Sequence, residues 1–137
     1  MQVAERVGMT VELQADFETS LNMVTEALKS EGFGVLTEID VKETLKQKLG
    51  VDFRPYRILG ACNPPLAHRA LSANSEAGLL LPCNVTVAHV EDNITEVSII
   101  NPDVMMSVAA DPGLGPIAAE AKEKLDRVVA TLEAGLK

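Results

Sequence analysis

The stretch that decides the fold runs Tyr56-Arg57-Ile58-Leu59-Gly60-Ala61-Cys62-Asn63-Pro64-Pro65. Residues 56–61 are apolar on both faces apart from Arg57, which is typical of a strand that is buried on both sides. The following Asn63-Pro64-Pro65 segment predicts the start of a helix, because asparagine is a favoured N-cap and proline is tolerated in the first turn. Cys62 therefore lies where a strand ends and a helix begins.

A second cysteine lies at the start of a strand, in the stretch Leu80-Leu81-Pro82-Cys83-Asn84-Val85-Thr86-Val87. If this strand pairs antiparallel with the first one, the end of one lies beside the start of the other. We then expect the thiols of Cys62 and Cys83 to converge. This convergence is the single indication of chemistry in the sequence.

The remaining apolar pattern predicts the element order β-α-β-α-β-α-β-β-α. Alternation of apolar and polar residues over 11–15 predicts the first strand, and similar runs predict strands over 35–39, 85–90 and 94–100. Asn101-Pro102 breaks the last of them. Two long helices, one capped by Asp16 and one starting near Pro116, carry apolar residues at spacings of three and four.

This order predicts an α+β fold with a single five-stranded, mainly antiparallel sheet. The two long amphipathic helices are expected to pack on one face of the sheet, with shorter helices at its edges. Residues 1–9 are interpreted as a flexible N-terminal extension and residues 10–137 as one domain. Since the strands over 56–61 and 85–90 are apolar on both faces, their second side needs cover, and a homodimer is the most economical way to supply it.

Composition argues against several classes of function. The net charge of −8, with one Tyr, three Phe and no Trp, disfavours nucleic-acid binding. No apolar run approaches the roughly 18 residues of a membrane span, so we expect no membrane insertion and a cytoplasmic location with reduced thiols. Lys42, Lys46 and Lys48 lie together in one predicted helix, where a solvated face is the simplest interpretation.

At the two cysteine stretches the chain closely resembles the domain-of-unknown-function family 302. The matching segments are Lys48-Leu49-Gly50, residues 56–64, Leu66-Ala67 and residues 80–85, and the likeness extends over nearly the whole chain from about Val11. The resemblance implies a small α+β fold that associates as a dimer, usually in bacteria or archaea. It implies no settled activity, and it leaves any cofactor unknown.

The sequence leaves three kinds of function open at the place where Cys62 and Cys83 are expected to converge, which we call the cysteine corner. The first is a pocket for a small, mostly apolar molecule; its candidate residues are Tyr56, Ile58, Gly60, Cys62, Asn63, Leu81, Cys83 and Asn84. The second is a soft-metal site made by Cys62 and Cys83 with His68, or with Met105 and Met106, as further ligands.

The third kind is redox sensing by the same two thiols, with a thiol-based redox enzyme as its catalytic form. An enzyme is the weaker interpretation, because the sequence contains no nucleophile elbow or phosphate-binding loop, and no base can be assigned to activate a cysteine. A purely structural dimeric domain, in which both cysteines are packed side chains, is the remaining alternative.

Overall fold

Residues 6–109 and 111–135 are described by a computed structural model of the chain, with the side chain of Met106 excepted. Within them, the strands are β1 (Gly8–Leu13), β2 (Gly34–Asp40), β3 (Tyr56–Cys62), β4 (Cys83–Glu91) and β5 (Ile94–Ile100). The α-helices of the same residues are α1 (Phe17–Ser30), α2 (Val41–Leu49), α3 (Pro64–Ala73), α4 (Pro102–Ala109) and α5 (Gly115–Ala134). Short 3₁₀ segments occupy Ser75–Leu80 and Pro112–Leu114.

The five strands form one sheet in the order β1-β5-β4-β3-β2. Every neighbouring pair is antiparallel. The α+β class and the antiparallel sheet predicted from the sequence are therefore confirmed. The expected pairing of the two cysteine-bearing strands is also present, because β3 lies beside β4 at the centre of the sheet.

The hydrophobic core lies between one face of the sheet and the two long helices. Leu59, Val85 and Ile99 are directly opposite one another on β3, β4 and β5, and all three are buried. Their helical partners come from both long helices: Val24 and Leu28 of α1, and Leu125, Val128 and Leu132 of α5. Each such side chain stabilises the fold by roughly 1.5–3 kcal/mol through burial. The predicted placement of the two long helices on one face is confirmed.

The second face of the sheet is covered by neither α1 nor α5. One row of residues crosses this face from β1 to β3. Thr10 of β1 lies opposite Ser98 of β5, and Ser98 lies opposite Thr86 of β4. Thr86 in turn lies opposite Ile58 of β3. The hydroxyls of Thr10 and Ser98 lie 2.9 Å apart and share a hydrogen bond. This face is thus built mainly from half-exposed polar residues at its centre.

Two features differ from the sequence-based prediction. Strand β1 begins at Gly8, where Gly8 and Met9 pair with Ile100 and Ile99, although the prediction assigned residues 1–9 to an extension. Residues 1–5 of that predicted extension lie outside the described residues. Helix α4 was not predicted, because Asn101-Pro102 was interpreted only as the end of a strand.

A helix that crosses a membrane must be both long and strongly apolar. No helix in the described part of the chain has both properties.

Candidate functional site

The register between β3 and β4 brings the two cysteines to the same corner of the sheet. Ala61 lies directly opposite Cys83, and Cys62 is the next residue along β3. Cys62 is half-buried and Cys83 is buried, and both are free thiols. The convergence predicted from the two sequence stretches is therefore present at the level of the backbone.

Both cysteines line one cavity, which we call the cysteine cavity. Its volume is about 40 Å³. Its walls are apolar almost throughout and come from the end of β3, the start of β4 and helices α3, α4 and α5. The lining residues are Phe33, Ala61, Cys62, Asn63, Leu66, Ala67, Ala70, Leu81, Cys83, Pro102, Met105, Ile117, Ala118 and Ala121.

Asn63 fixes the wall of the cavity that α3 provides. Its Oδ1 accepts a hydrogen bond from the backbone N–H of Leu66 at 3.3 Å, which caps the first turn of α3. Its Nδ2 donates to the carbonyl oxygen of Glu31 at 3.3 Å, just after the end of α1. Because both ends of this buried amide are engaged, Asn63 ties the strand–helix junction at Cys62 to the end of α1.

Burial determines the protonation state of Cys83. Desolvation, with a smaller contribution from the neighbouring Cys62, raises the pKa of the Cys83 thiol to about 11. Cys83 is therefore a neutral thiol at physiological pH. A neutral thiol is a poor nucleophile and a poor metal ligand, because both roles require the thiolate.

Cys62 and Cys83 are not a directly opposed pair across the two strands. Ala61 is the residue opposite Cys83, and Cys62 follows it at the end of β3. Both cysteines nevertheless line the same cavity, and the nearby Cys62 contributes to the raised pKa of Cys83.

The structure places the predicted ligand residues in two groups. Cys62, Asn63, Leu81 and Cys83 line the cysteine cavity. The others lie elsewhere: Tyr56 is at the far end of β3 beside Phe53, Ile58 is on the second face opposite Thr86, Gly60 lies beneath Pro82, and Asn84 borders a cleft on the second face with Thr86.

The predicted metal ligands are distributed in a similar way. His68 lies on α3 with its side chain exposed and does not line the cavity. Over residues 6–109 and 111–135, no three or more His, Cys, Asp or Glu side chains form a group that could hold a metal ion. Met105 does line the cavity with both cysteines. The side chain of Met106 lies outside the described residues.

Sequence reasoning named Met105 as a possible ligand beside the cysteines, but it missed helix α4 and the wall that α5 contributes. Pro102 and Met105 come from α4, and Ile117, Ala118 and Ala121 come from the first turns of α5. The sequence did contain a signal for α4. Asn101 stands directly before Pro102, and asparagine followed by proline is a typical N-cap and first residue of a helix. The Asn101 Oδ1 indeed accepts a hydrogen bond from the backbone N–H of Asp103 at 3.0 Å.

Comparison with known proteins gives matches that span nearly the whole chain, both to a family and to a solved structure. Residues 9–132 match the family described as Domain of unknown function DUF302. The fold is similar to the crystal structure of the uncharacterized conserved protein DUF302 from Bacillus stearothermophilus, with a TM-score of 0.81 and 35% sequence identity. That similarity covers 94% of this chain and 98% of the other. A comparison with the curated proteins finds no match.

Proposed function

Because this chain belongs to the family of the Domain of unknown function DUF302, whose description assigns no activity, we propose its function from the site alone: it binds a small, mostly apolar ligand in the cysteine cavity. The observation that carries this proposal is the cavity itself, which is apolar and is lined by both cysteines. Ligand pockets are typically apolar with a few polar groups that set orientation. Here the two thiols are those groups.

The size of the cavity limits what it can hold in this conformation. A volume of about 40 Å³ is a few times the roughly 10–15 Å³ that a cavity needs to hold one water molecule. A ligand of benzene size needs about 150 Å³, so its binding requires a wall to move. Met105 of α4 is the wall residue best suited to move, because its unbranched side chain has several rotatable bonds.

Three arguments place ligand binding ahead of redox chemistry. Cys83 is held as a thiol by its burial, which opposes thiol–disulfide exchange. The cross-strand partner of Cys83 is Ala61 and not Cys62, so the register does not hold the two thiols face to face across β3 and β4. Both cysteines are free thiols, the form that a reducing cytoplasm maintains, and we propose that the protein acts in that compartment.

A soft metal such as cuprous copper is the second candidate ligand. One observation favours it: Cys62, Cys83 and Met105 give the cavity three sulfur-bearing walls. Thiolate and thioether sulfur are the ligands that cuprous copper prefers. Binding would have to displace the proton of Cys83, whose raised pKa makes that step unfavourable.

The proposal is tested by titrating the protein with benzene and indole while recording amide chemical shifts. We expect saturable shifts confined to residues around the cysteine cavity, and tighter binding by Met105→Ala because truncation enlarges the cavity. Met23→Ala is the matched control, since Met23 packs against the main core and not on the cavity. If neither the wild type nor Met105→Ala binds either probe, the cavity is only a packing defect and the proposal is wrong.

Two measurements separate the redox and metal alternatives from ligand binding. Native protein treated with a thiol reagent at neutral pH should leave Cys83 unmodified until the protein is denatured, because Cys83 is buried and protonated. Reduced protein should also take up no stoichiometric cuprous copper. Stoichiometric uptake that is lost in both Cys62→Ser and Met105→Leu would instead establish the soft-metal function.

The assembly we propose for this function is a homodimer. The second face of the sheet supports this, because α1 and α5 leave it without cover and one row of residues across it, from Thr10 through Ser98 and Thr86 to Ile58, is uncharged. Two copies of such a face can pack against each other about a twofold axis, which is the commonest form of assembly.

A further inference from the structure

Helix α2 and the loop after it form a surface that the cysteine cavity does not use. None of the nine residues of α2 is buried, although a helix of a globular protein normally buries an apolar stripe. Three large apolar side chains are exposed within five consecutive residues: Leu49 at 69%, Val51 at 43% and Phe53 at 38%. Clustered exposed apolar side chains with a polar rim are typical of an interaction site.

The rim of this surface is basic. Residues 41–54 contain four of the twelve Lys and Arg residues of the chain but only two of its twenty Asp and Glu residues. The segment therefore carries a net charge of +2, whereas the rest of the chain carries −10. Only Lys46 of the four forms an ion pair in the described part of the chain, with Asp52 at 3.1 Å.

Phe53 and Arg54 give the surface an anchor of a kind that is common at protein interfaces. The guanidinium of Arg54 lies over the ring of Phe53, 5.8 Å from its centroid. The ring of Tyr56 packs edge-on against Phe53, with the centroids 6.1 Å apart. Aromatic and arginine side chains are enriched among the residues that dominate binding energy, and here Phe53 and Arg54 follow exposed Leu49 and Val51 within five residues of sequence.

The charge of the surface selects among its conceivable occupants. A second copy docked through the same surface would oppose Lys42, Lys48 and Arg54 to their own equivalents, and such like-charge contacts are unfavourable. A membrane-surface helix presents one continuous apolar face and a basic polar face. Here the apolar side chains come from the end of the helix and from the loop after it, so they do not form one continuous helical face. An acidic protein segment fits the basic rim best.

We propose that the surface formed by α2 and residues 50–54 is a docking site for an acidic protein segment that carries apolar anchor side chains. Leu49, Val51 and Phe53 would receive the anchors. Lys42, Lys48 and Arg54 would face the acidic groups of the segment. This inference does not depend on the ligand of the cysteine cavity.

The test is selection of random dodecapeptides displayed on phage against the wild-type protein, with counter-selection on the Leu49→Ser/Phe53→Ser variant. We expect the enriched peptides to be rich in Asp, Glu and large apolar residues. One enriched peptide, labelled with fluorescein, is then titrated by anisotropy. Charge reversal in Lys48→Glu/Arg54→Glu should weaken its binding about tenfold or more, and added salt should weaken binding to the wild type.

The matched control is Lys29→Glu/Lys124→Glu, which makes the same change in net charge on α1 and α5. Because salt screens distant charges, this control should change the affinity for the peptide by no more than about twofold. Circular dichroism should show the same helix content in all variants, because the altered side chains lie outside the buried core. Equal weakening in the control would overturn the inference, since general electrostatics would then explain the binding.

Three further results would also overturn it: no enrichment over the counter-selected variant, adhesion to phosphatidylserine vesicles that is lost on charge reversal while no peptide binds, or a change in oligomeric mass in Lys48→Glu/Arg54→Glu. The first would leave the surface without a peptide partner. The second and third would assign it to a membrane or to a second copy of the chain.

Discussion

At the scale of single residues, Gly60 shows how closely the cysteine corner is packed. It lies on β3, opposite Thr37 of β2 and Asn84 of β4. A Cβ at this position would overlap the Oγ1 of Thr37 and would lie 2.7 Å from the Cγ of Pro82. The space above Gly60 is therefore filled by the side chain of Thr37 and by the ring of Pro82, in the loop before Cys83.

We expect Gly60→Ala to destabilise the protein by about 1–3 kcal/mol, because the added methyl group must displace Pro82 or separate β2 from β3. Gly34→Ala is the matched control, since a Cβ at Gly34 has no neighbour within 4 Å and its cost should stay within about 0.5 kcal/mol. Urea denaturation measures both changes. Equal stabilities for the two variants would contradict the packing described at Gly60.

Cys83 should make stability depend on pH in the alkaline range. Its pKa is raised from 9.0 to about 11 in the folded protein, so the unfolded state loses its proton first as pH rises. The stability that the buried Cys83 thiol contributes is therefore fully present below pH 9 and is lost progressively toward pH 11. A shift of this size corresponds to a loss on the order of 2 kcal/mol.

The measurement is the free energy of unfolding of wild type and Cys83→Ala between pH 8 and 11. The difference between the two proteins should shrink as pH rises, since other groups titrate equally in both. A constant difference would mean that Cys83 is more accessible to water than its burial indicates.

At the scale of secondary-structure elements, the ends of helices were predictable where a capping side chain stands in the sequence. Asp16 and Asp40 each accept a hydrogen bond from the backbone three residues later, at 2.7 and 2.9 Å, as their positions predicted. The α4 cap at Asn101 was overlooked, because a proline after a strand indicates a break whether or not a helix follows. The missing element was the one that closes the cysteine cavity.

Asn63 should be a more costly cap to lose than Asp40. Asn63→Ala removes both the cap of α3 and the bond to the Glu31 carbonyl, and it leaves buried backbone groups without partners. We expect a loss of about 2 kcal/mol or more, against about 0.5–1 kcal/mol for the exposed cap in Asp40→Ala. Thermal and urea denaturation of the two variants measure this.

Asn63→Asp separates the two roles of this side chain. Aspartate keeps the acceptor that caps α3 but loses the N–H donor to Glu31. Its stability should fall between those of wild type and Asn63→Ala. If Asn63→Asp is as stable as wild type, the bond to α1 contributes nothing measurable.

At the scale of the whole molecule, the sheet and its helix-covered face were predictable and the site was only partly so. The periodic apolar residues of β3, β4, α1 and α5 specify the layers, because each element has one face that must leave water. The site depends on which elements meet beyond the end of the sheet. Helices α4 and α5 meet there and bring Met105 and Ile117 to the cavity. The apolar periodicity of a single element predicts which of its faces is buried, but not which other element it meets.

The proposed homodimer predicts a solution mass near twice the 14.6 kDa of the chain, measured by light scattering or sedimentation. Thr86→Arg should shift the mass toward one chain, because Thr86 lies at the centre of the second face between Ile58 and Ser98. Thr131→Arg is the control, since Thr131 is exposed on α5. A wild-type protein that stays monomeric at millimolar concentration would refute the assembly.

The pairing of β1 with β5 has a consequence for biosynthesis. Gly8 pairs with Ile100, so β1 leaves the ribosome without a strand partner until residues 94–100 have been made. Until then, its backbone amides and carbonyls and the apolar side chains of Val11 and Leu13 remain available to other chains. Nascent chains should therefore be most prone to aggregate with one another just before β5 emerges. A chaperone that shields β1 should reduce this aggregation.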